Sequence, residues 1–144
     1  MQVSEIMTPD CQLIDPNASI REAATRMRDE NIGALPVGEN DRLVGMVTDR
    51  DIVTRGVAVE GRPGTTSVRD VMSEKVFYIF DDDDIEDAAQ CMAEHQVRRL
   101  PVLNHDKRLV GIVSMADLAL TGEEEAEKIA LEGVSEPSST PRRD

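Results

Sequence analysis

The sequence contains itself twice. A shift of 65 residues sets Met7 on Met72, and sets Ile20, Ala23, Ala24 and Met27 on Ile85, Ala88, Ala89 and Met92. The same shift lays Leu35-Pro36-Val37 on Leu100-Pro101-Val102. One extra residue near Lys107 raises the offset to 66. From there Arg42-Leu43-Val44-Gly45 meets Arg108-Leu109-Val110-Gly111, and Val47 and Asp51 meet Val113 and Asp117. A run of matches with one gap, confined to a turn, is a duplication, and self-similarity at a fixed period restricts a chain to repeat architectures.

Both copies carry the same local signals. Ile20, Ala23, Ala24 and Met27 are spaced i, i+3, i+4, i+7, one face of an amphipathic helix, and Ile85, Ala88, Ala89 and Met92 repeat the stripe. Ser19 with Glu22 predicts a capping-box start for the first helix, and Asp84 is the expected N-cap of the second. Apolar runs at Gln12–Ile14 and Phe77–Ile79 precede these helices, and Leu35–Val37 and Leu100–Val102 follow them, all expected as strands. Pro36 and Pro101 lack a backbone N–H, so their strands should be sheet edges or should end there. Polar turns lead into Leu43–Val47 and Leu109–Val113, and a second helix is expected from Thr48 and from Ser114.

A copy of about 55 residues cannot bury a sheet face and two helices alone, so the two should pack about a pseudo-twofold axis. The expected organisation is one mixed α/β repeat at 3–57, a linker at 58–67 and a second repeat at 68–121. A short helix should follow at 122–133, with Ala126, Ile129 and Ala130 on one face and Gly133 as its stop. The tail at 134–144 has the composition of a disordered segment.

Composition narrows function. The net charge is −13, which argues against partners with phosphate backbones and against anionic membranes, although a local pocket can still be basic. No stretch approaches the roughly 20 apolar residues of a spanning helix, and the opening MQVSEIMTPD has no leader pattern. Two cysteines, Cys11 and Cys91, make no disulfide framework. A cytoplasmic protein is expected.

The informative motif also occurs twice, as Gly45-Met-Val-Thr48-Asp-Arg-Asp51 and Gly111-Ile-Val-Ser114-Met-Ala-Asp117. A strand runs into a helix with a hydroxyl at the first turn and a carboxylate three residues on. A carboxylate there can accept from both hydroxyls of a ribose, and the Thr or Ser hydroxyl can hold a ribose or phosphate oxygen. One such string is equally an ordinary capping box that needs no ligand. Its recurrence favours the ligand reading, and one residue can do both.

These strings, with Met7-Thr8-Pro9, Ile32-Gly-Ala-Leu-Pro-Val37, Val71-Met72-Ser73 and Val97-Arg-Arg-Leu-Pro-Val102, resemble a tandem pair of cystathionine-β-synthase (CBS) domains over roughly residues 3 to 121. The resemblance implies a pair of β-α-β-β-α repeats acting as a sensor. Its ligand would be an adenine nucleotide (AMP, ADP, ATP, sometimes NAD or S-adenosylmethionine) in clefts between the halves. Carried over by position, Asp51 and Asp117 would hold ribose hydroxyls beside Thr48 and Ser114, and Cys11 and Val76 would line base pockets. Gly33-Ala34 and Arg98-Arg99 would sit at the cleft mouths. Arg50, Arg98 and Arg99 are the phosphate candidates, because guanidinium matches phosphate oxygens in a fork. The two sites should be unequal, since Gly33-Ala34 stands where the second copy has Arg98-Arg99, and Asp49-Arg50 where it has Met115-Ala116. The resemblance also implies a homodimer. A stand-alone pair needs a separate effector protein.

Other candidates are weaker. Cys91 and His95 share a helix face but have no third ligand nearby, and His105 falls in a turn expected to be exposed. The run Asp81–Asp84 could hold a cation but reads first as a solvated helix start. No nucleotide-hydrolase loop, dinucleotide fingerprint, Cys-x-x-Cys or His-Glu-x-x-His is present, so no catalysis and no required cofactor are expected. A regulatory ligand-binding module is the leading reading. A ligand-free dimerisation or interaction module is the alternative.

Overall fold

The two apolar stripes fold as 11-residue helices that end alike, with Asn31 and Gln96 in the left-handed conformation. The computed structural model describes residues 1–9, 13–59 and 62–135. Its elements are β1 (Thr8–Pro9), α1 (Ile20–Glu30), β2 (Ala34–Glu39), β3 (Arg42–Thr48), α2 (Asp49–Asp51) and α3 (Val68–Val71). The chain continues through β4 (Ile79–Phe80), α4 (Ile85–His95), β5 (Arg99–Leu103), β6 (Leu109–Ser114), α5 (Met115–Ala119) and α6 (Glu124–Ser135). Short 3-10 turns at Val3–Glu5 and Val57–Val59 and a π-helical turn at Ile52–Gly56 complete it. The segment expected as a plain linker is therefore partly helical. Among the described residues no helix is long and apolar enough to cross a membrane.

The chain divides into two compact units, Gln12–Val76 and Met1–Cys11 with Phe77–Asp144. The cut falls inside the repeats, so each unit takes its opening segment from the other copy. In the first unit Ile20, Ala23 and Met27 of α1 pack with Leu35, Val37 and Val47, and with Val68, Val71 and Met72 from the start of the second copy. In the other, Ile85, Ala88, Ala89 and Met92 of α4 pack with Leu100, Val102, Val113 and Leu118, and with Val3 from the chain start.

Strand pairing repeats at the same offsets. One sheet has the order β1-β6-β5-β4, antiparallel except for the parallel β4–β5 pair. The other has the β2–β3 hairpin, extended by single bridges Ile14↔Val37 (parallel) and Met46↔Ser73 (antiparallel). These bridges are the counterparts of Ile79↔Val102 and Thr8↔Ile112. The expected strand at Gln12–Ile14 is thus reduced, among the described residues, to the Ile14 bridge.

The expectation that the prolines mark edges or ends is met for Pro36, whose β2 is an outer strand of a two-stranded sheet beside a single bridge, and overturned for Pro101. Both strands run through their proline, and β5 lies between β6 and β4. The Pro36 carbonyl accepts from Ile14 N at 2.9 Å, so Pro36 faces away from β3 and its missing N–H removes nothing from the hairpin ladder. Pro101 stands opposite Ile112, which is itself paired to Thr8 on its far side, so Pro101 likewise faces away from β6.

The helix-end signals are met in part. Glu22 N donates to Ser19 Oγ at 3.1 Å, which is one half of the expected capping box. Asp84 holds the N-cap position of α4, but its side chain accepts from the Met1 amine at 3.3 Å instead. Gly133 does not stop α6, which reaches Ser135. Residues 136–144, which hold most of the expected tail, lie outside the described residues. The one gap in the repeat is a hairpin difference. Asn40 and Asp41, both at positive φ, join β2 to β3 in a two-residue turn, whereas the longer turn after β5 is held by Asn104 Oδ1, which accepts from Asp106 N and Arg108 N.

Candidate functional site

The two strand-to-helix junctions have the same geometry. Thr48 ends β3 at φ −115° and ψ 164°, and Ser114 ends β6 at φ −119° and ψ 164°. Asp51 N donates to Thr48 Oγ1 at 3.0 Å while Thr48 N donates to Asp51 Oδ2 at 3.0 Å. Asp117 N donates to Ser114 Oγ at 3.1 Å while Ser114 N donates to Asp117 Oδ2 at 2.8 Å. Both motifs are therefore complete capping boxes, which satisfy helix-start donors that would otherwise be orphaned. One carboxylate oxygen is used in each box. The other oxygen of Asp117 has no ion-pair partner among the described residues, whereas that of Asp51 lies 4.0 Å from Arg55 Nε.

Strand pairing brings further candidates to the same places. Ala34 stands opposite Thr48, and Arg99 opposite Ser114. Asp49 N donates to the Gly33 carbonyl at 3.0 Å, and Met115 N donates to the Arg98 carbonyl at 2.9 Å. Each junction thus gathers its hydroxyl, its carboxylate and the residue pair that precedes Leu-Pro-Val.

Their surroundings differ. Thr48 is buried at 2% exposure and Ala34 at 8%, whereas Ser114 is half-buried and Arg98 and Arg99 are exposed. An Asp49 carboxylate oxygen lies 3.2 Å from the point a Cβ on Gly33 would occupy. Arg55, four residues after Asp51, brings Nε to 4.0 Å from Asp51 Oδ1 and donates from Nη1 to the Val71 carbonyl at 3.4 Å. Sequence reading missed Arg55, although an acid followed four residues later by a base on a helix is the signal that finds it. Among the described residues Asp117, Arg98 and Arg99 have no ion-pair partner.

Arg50 is exposed at the second position of α2. Val76 is half-buried in irregular chain three residues ahead of β4. Cys11 lies outside the described residues.

Of the metal candidates, Cys91 and His95 gain no third ligand among the described residues. Burial first, then the charge of Glu94, pushes the Cys91 thiol up, and His95 stacks on Phe77 with ring centroids 3.6 Å apart. His105 instead meets the acidic run. Its Nε2 lies 2.8 Å from both carboxylate oxygens of Asp82, its ring stacks on Phe80 at 4.7 Å, and ligand atoms of Asp81, Asp82 and His105 all lie within 4.8 Å of one another. The hydrogen bond and charge of Asp82, with the charges of Asp81 and Asp83, raise the imidazole above its usual range. The contact is exposed, and its chemistry is that of a charged surface pair.

Comparison with known proteins agrees with this geometry. A model of the CBS domain matches residues 3–57 and again 68–121. The CBS domain-containing protein YhcV of Bacillus subtilis is 46% identical over 118 residues, covering 82% of this chain and 83% of that protein. The crystal structure of Hypoxic Response Protein I with two coordinated zinc ions superposes with a TM-score of 0.78 at 38% identity, covering 84% of this chain and 98% of that one. The CBS domain protein PAE2072 from Pyrobaculum aerophilum, complexed with AMP, superposes with a TM-score of 0.77 at 25% identity, covering 91% and 99%.

Proposed function

This chain belongs to the CBS domain family, in two copies, and from that premise we propose that it is a non-catalytic regulatory module for an adenosine-type ligand. The observation that carries the reading is the repeated junction. After the capping bonds are made, Ser114 with Asp117 keeps a carboxylate oxygen and a hydroxyl proton, and Thr48 with Asp51 keeps the same groups with Arg55 Nε 4.0 Å from the second oxygen. A ribose presents two adjacent hydroxyls that such a carboxylate can accept from, and the AMP complex of PAE2072 supports the ligand class. Binding would shift the population of two arrangements of the protein, read by a separate effector protein, with the chain acting as a homodimer.

The test is thermal unfolding with AMP, ADP, ATP or NAD, followed by calorimetric titration. A ligand at about 100 times its dissociation constant stabilises by roughly 2.7 kcal/mol, enough for a shift of several degrees. A shift lost on Asp117→Asn or Asp51→Asn supports the reading. The finished capping boxes equally suit a ligand-free dimerisation or interaction module. A dimer with no shift for any of these nucleotides at millimolar concentration would replace the sensor reading with that one.

A further inference from the structure

We infer that Asp81, Asp82 and His105 form a binding site for a first-row transition dication of the zinc class. The site lies at the end of the β5–β6 hairpin opposite Ser114, within one unit of the chain.

The acid run by itself would be a solvated helix start, but its four carboxylates divide by task. Asp84 accepts from the Met1 amine, and Asp83 Oδ2 accepts from Phe80 N at 3.0 Å. Asp81 and Asp82 are left beside an imidazole that arrives from a separate loop. His105 Nε2 stands 2.8 Å from both oxygens of Asp82, and one ligand atom from each of the three residues lies within 4.8 Å of the other two.

That imidazole is delivered by the one gap in the repeat. The first hairpin turns in two residues, whereas the longer second turn carries His105 and is fixed from inside by Asn104 Oδ1. The ring is held against Phe80, with centroids 4.7 Å apart and planes 12° apart. Both loops are anchored by backbone. Asp81 N donates to the Leu103 carbonyl at 3.0 Å, and Ser4 N donates to the Asp81 carbonyl at 2.9 Å. The first copy serves as an internal control, since the offset of 65 puts Pro16, Asn17 and Asn40 where the second copy has Asp81, Asp82 and His105. A proline and two uncharged amides thus stand in place of two carboxylates and an imidazole. Changes in two separate loops of the second copy converge on one point.

Coordination chemistry sets the ligand class. Zinc takes imidazole nitrogen and carboxylate oxygen at about 2.0–2.2 Å in a tetrahedral shell, which places neighbouring ligand atoms roughly 3.4 Å apart. The 2.8 Å contact must open slightly and Asp81 must close in, which exposed side chains can do. Water supplies the remaining position. An imidazole among the ligands favours zinc, nickel or copper over magnesium and calcium, which prefer all-oxygen shells. As a hydrogen-bonded pair His105 and Asp82 contribute little, being exposed. A dication among the same groups attracts both carboxylates at once and ties the turn after β5 to the start of α4.

The experiment is calorimetric titration of the full chain with zinc chloride in a non-coordinating buffer, repeated with magnesium chloride. The folded wild type should show a saturable zinc site that magnesium at the same concentration does not fill. His105→Asn and Asp82→Asn, both at exposed side chains, should each weaken zinc by ~10-fold or more, at least the loss that follows removal of an outer-shell partner. His95→Gln should leave zinc affinity within about twofold, because that residue lies outside the site. In NMR spectra zinc should move the ring resonances of His105 and leave those of His95 in place. Zinc binding unchanged in His105→Asn and Asp82→Asn would place the ion elsewhere and overturn the inference. Magnesium binding as tight as zinc would reduce the site to its carboxylates and overturn the assigned class. A folded wild type with no zinc isotherm would overturn the site itself.

Discussion

The sulfur of Met7 lies 2.6 Å from the point that a Cβ on Gly111 would occupy, and the Thr8 carbonyl oxygen lies 2.8 Å from it. Met72 Sδ and the Ser73 carbonyl stand in the same relation to Gly45, at 2.9 and 2.7 Å. In both cases the opening segment of one copy is pressed onto the motif strand of the other copy's unit. The glycine that begins each Gly-x-Val-Thr/Ser-x-x-Asp string is therefore demanded by backbone approach.

Gly111→Ala should destabilise the protein by about 1–3 kcal/mol, the usual cost of overpacking. Met7 can swing aside, but the Thr8 carbonyl belongs to the β1–β6 pairing and cannot. Adding Met7→Ala should therefore recover only part of the loss. Urea unfolding of the single and double variants measures both. A Gly111→Ala midpoint equal to wild type would show that the segment is not held there.

The capping function predicts a cost that has nothing to do with ligand. Ser114→Ala should lose about 1 kcal/mol in nucleotide-free buffer, the typical value for an N-cap. Thr48→Ala should lose at least as much, because Thr48 is buried and its loss leaves the Asp51 N–H to find another acceptor. Wild-type stability in both variants would mean that the hydroxyls serve only a ligand.

What the sequence made legible follows from what each signal reports. The stripes Ile20-Ala23-Met27 and Ile85-Ala88-Met92 made α1 and α4 legible, because burial of one face is a local, periodic demand. The hydroxyl–carboxylate spacing located both junctions, because a capping box is also local. Pairing between distant segments was not readable in this way. Nothing in Met7-Thr8-Pro9 says that it pairs beside Gly111 and not within its own copy. Pro101 misled because a missing N–H matters only on the side of the strand it faces, and that side is set by partners outside its own segment. Asp84 was legible as the N-cap of α4, but not the pairing of its carboxylate with the Met1 amine, remote in sequence.

His105 gives the protein a pH-dependent contact. Its pKa is raised above the ordinary 6.5 by Asp82 first, through hydrogen bond and charge, and then by Asp81 and Asp83. A folded-state pKa above the unfolded one means that the stabilisation is fully present below about 6.5 and is lost as pH rises through the raised value. Exposure keeps it small. The melting midpoint should fall slightly between the two pKa values in the wild type, and His105→Asn should flatten that slope. An unaltered slope in the variant would assign the effect to another group.

The last helix lies beyond the second CBS match, which ends at residue 121, yet it is part of the core of its unit. Ala126 of α6 is fully buried with Met92 and Leu118, and Ile129 packs against the same cluster. Ala126→Glu would force a carboxylate into that apolar cluster without a partner, so α6 must detach or the charge must be desolvated. Either route should cost about 3 kcal/mol or more, combining overpacking with polar burial. Lys128→Glu is the control, because Lys128 is exposed on the same helix and a surface change should stay within roughly 0.5 kcal/mol. Hydrogen exchange separates the two routes. Detachment would expose amides of α6 and of the α4 face beneath it while the Gln12–Val76 unit stays protected. Equal stability of the two variants would mean that α6 is an appendage and that the cluster closes without it.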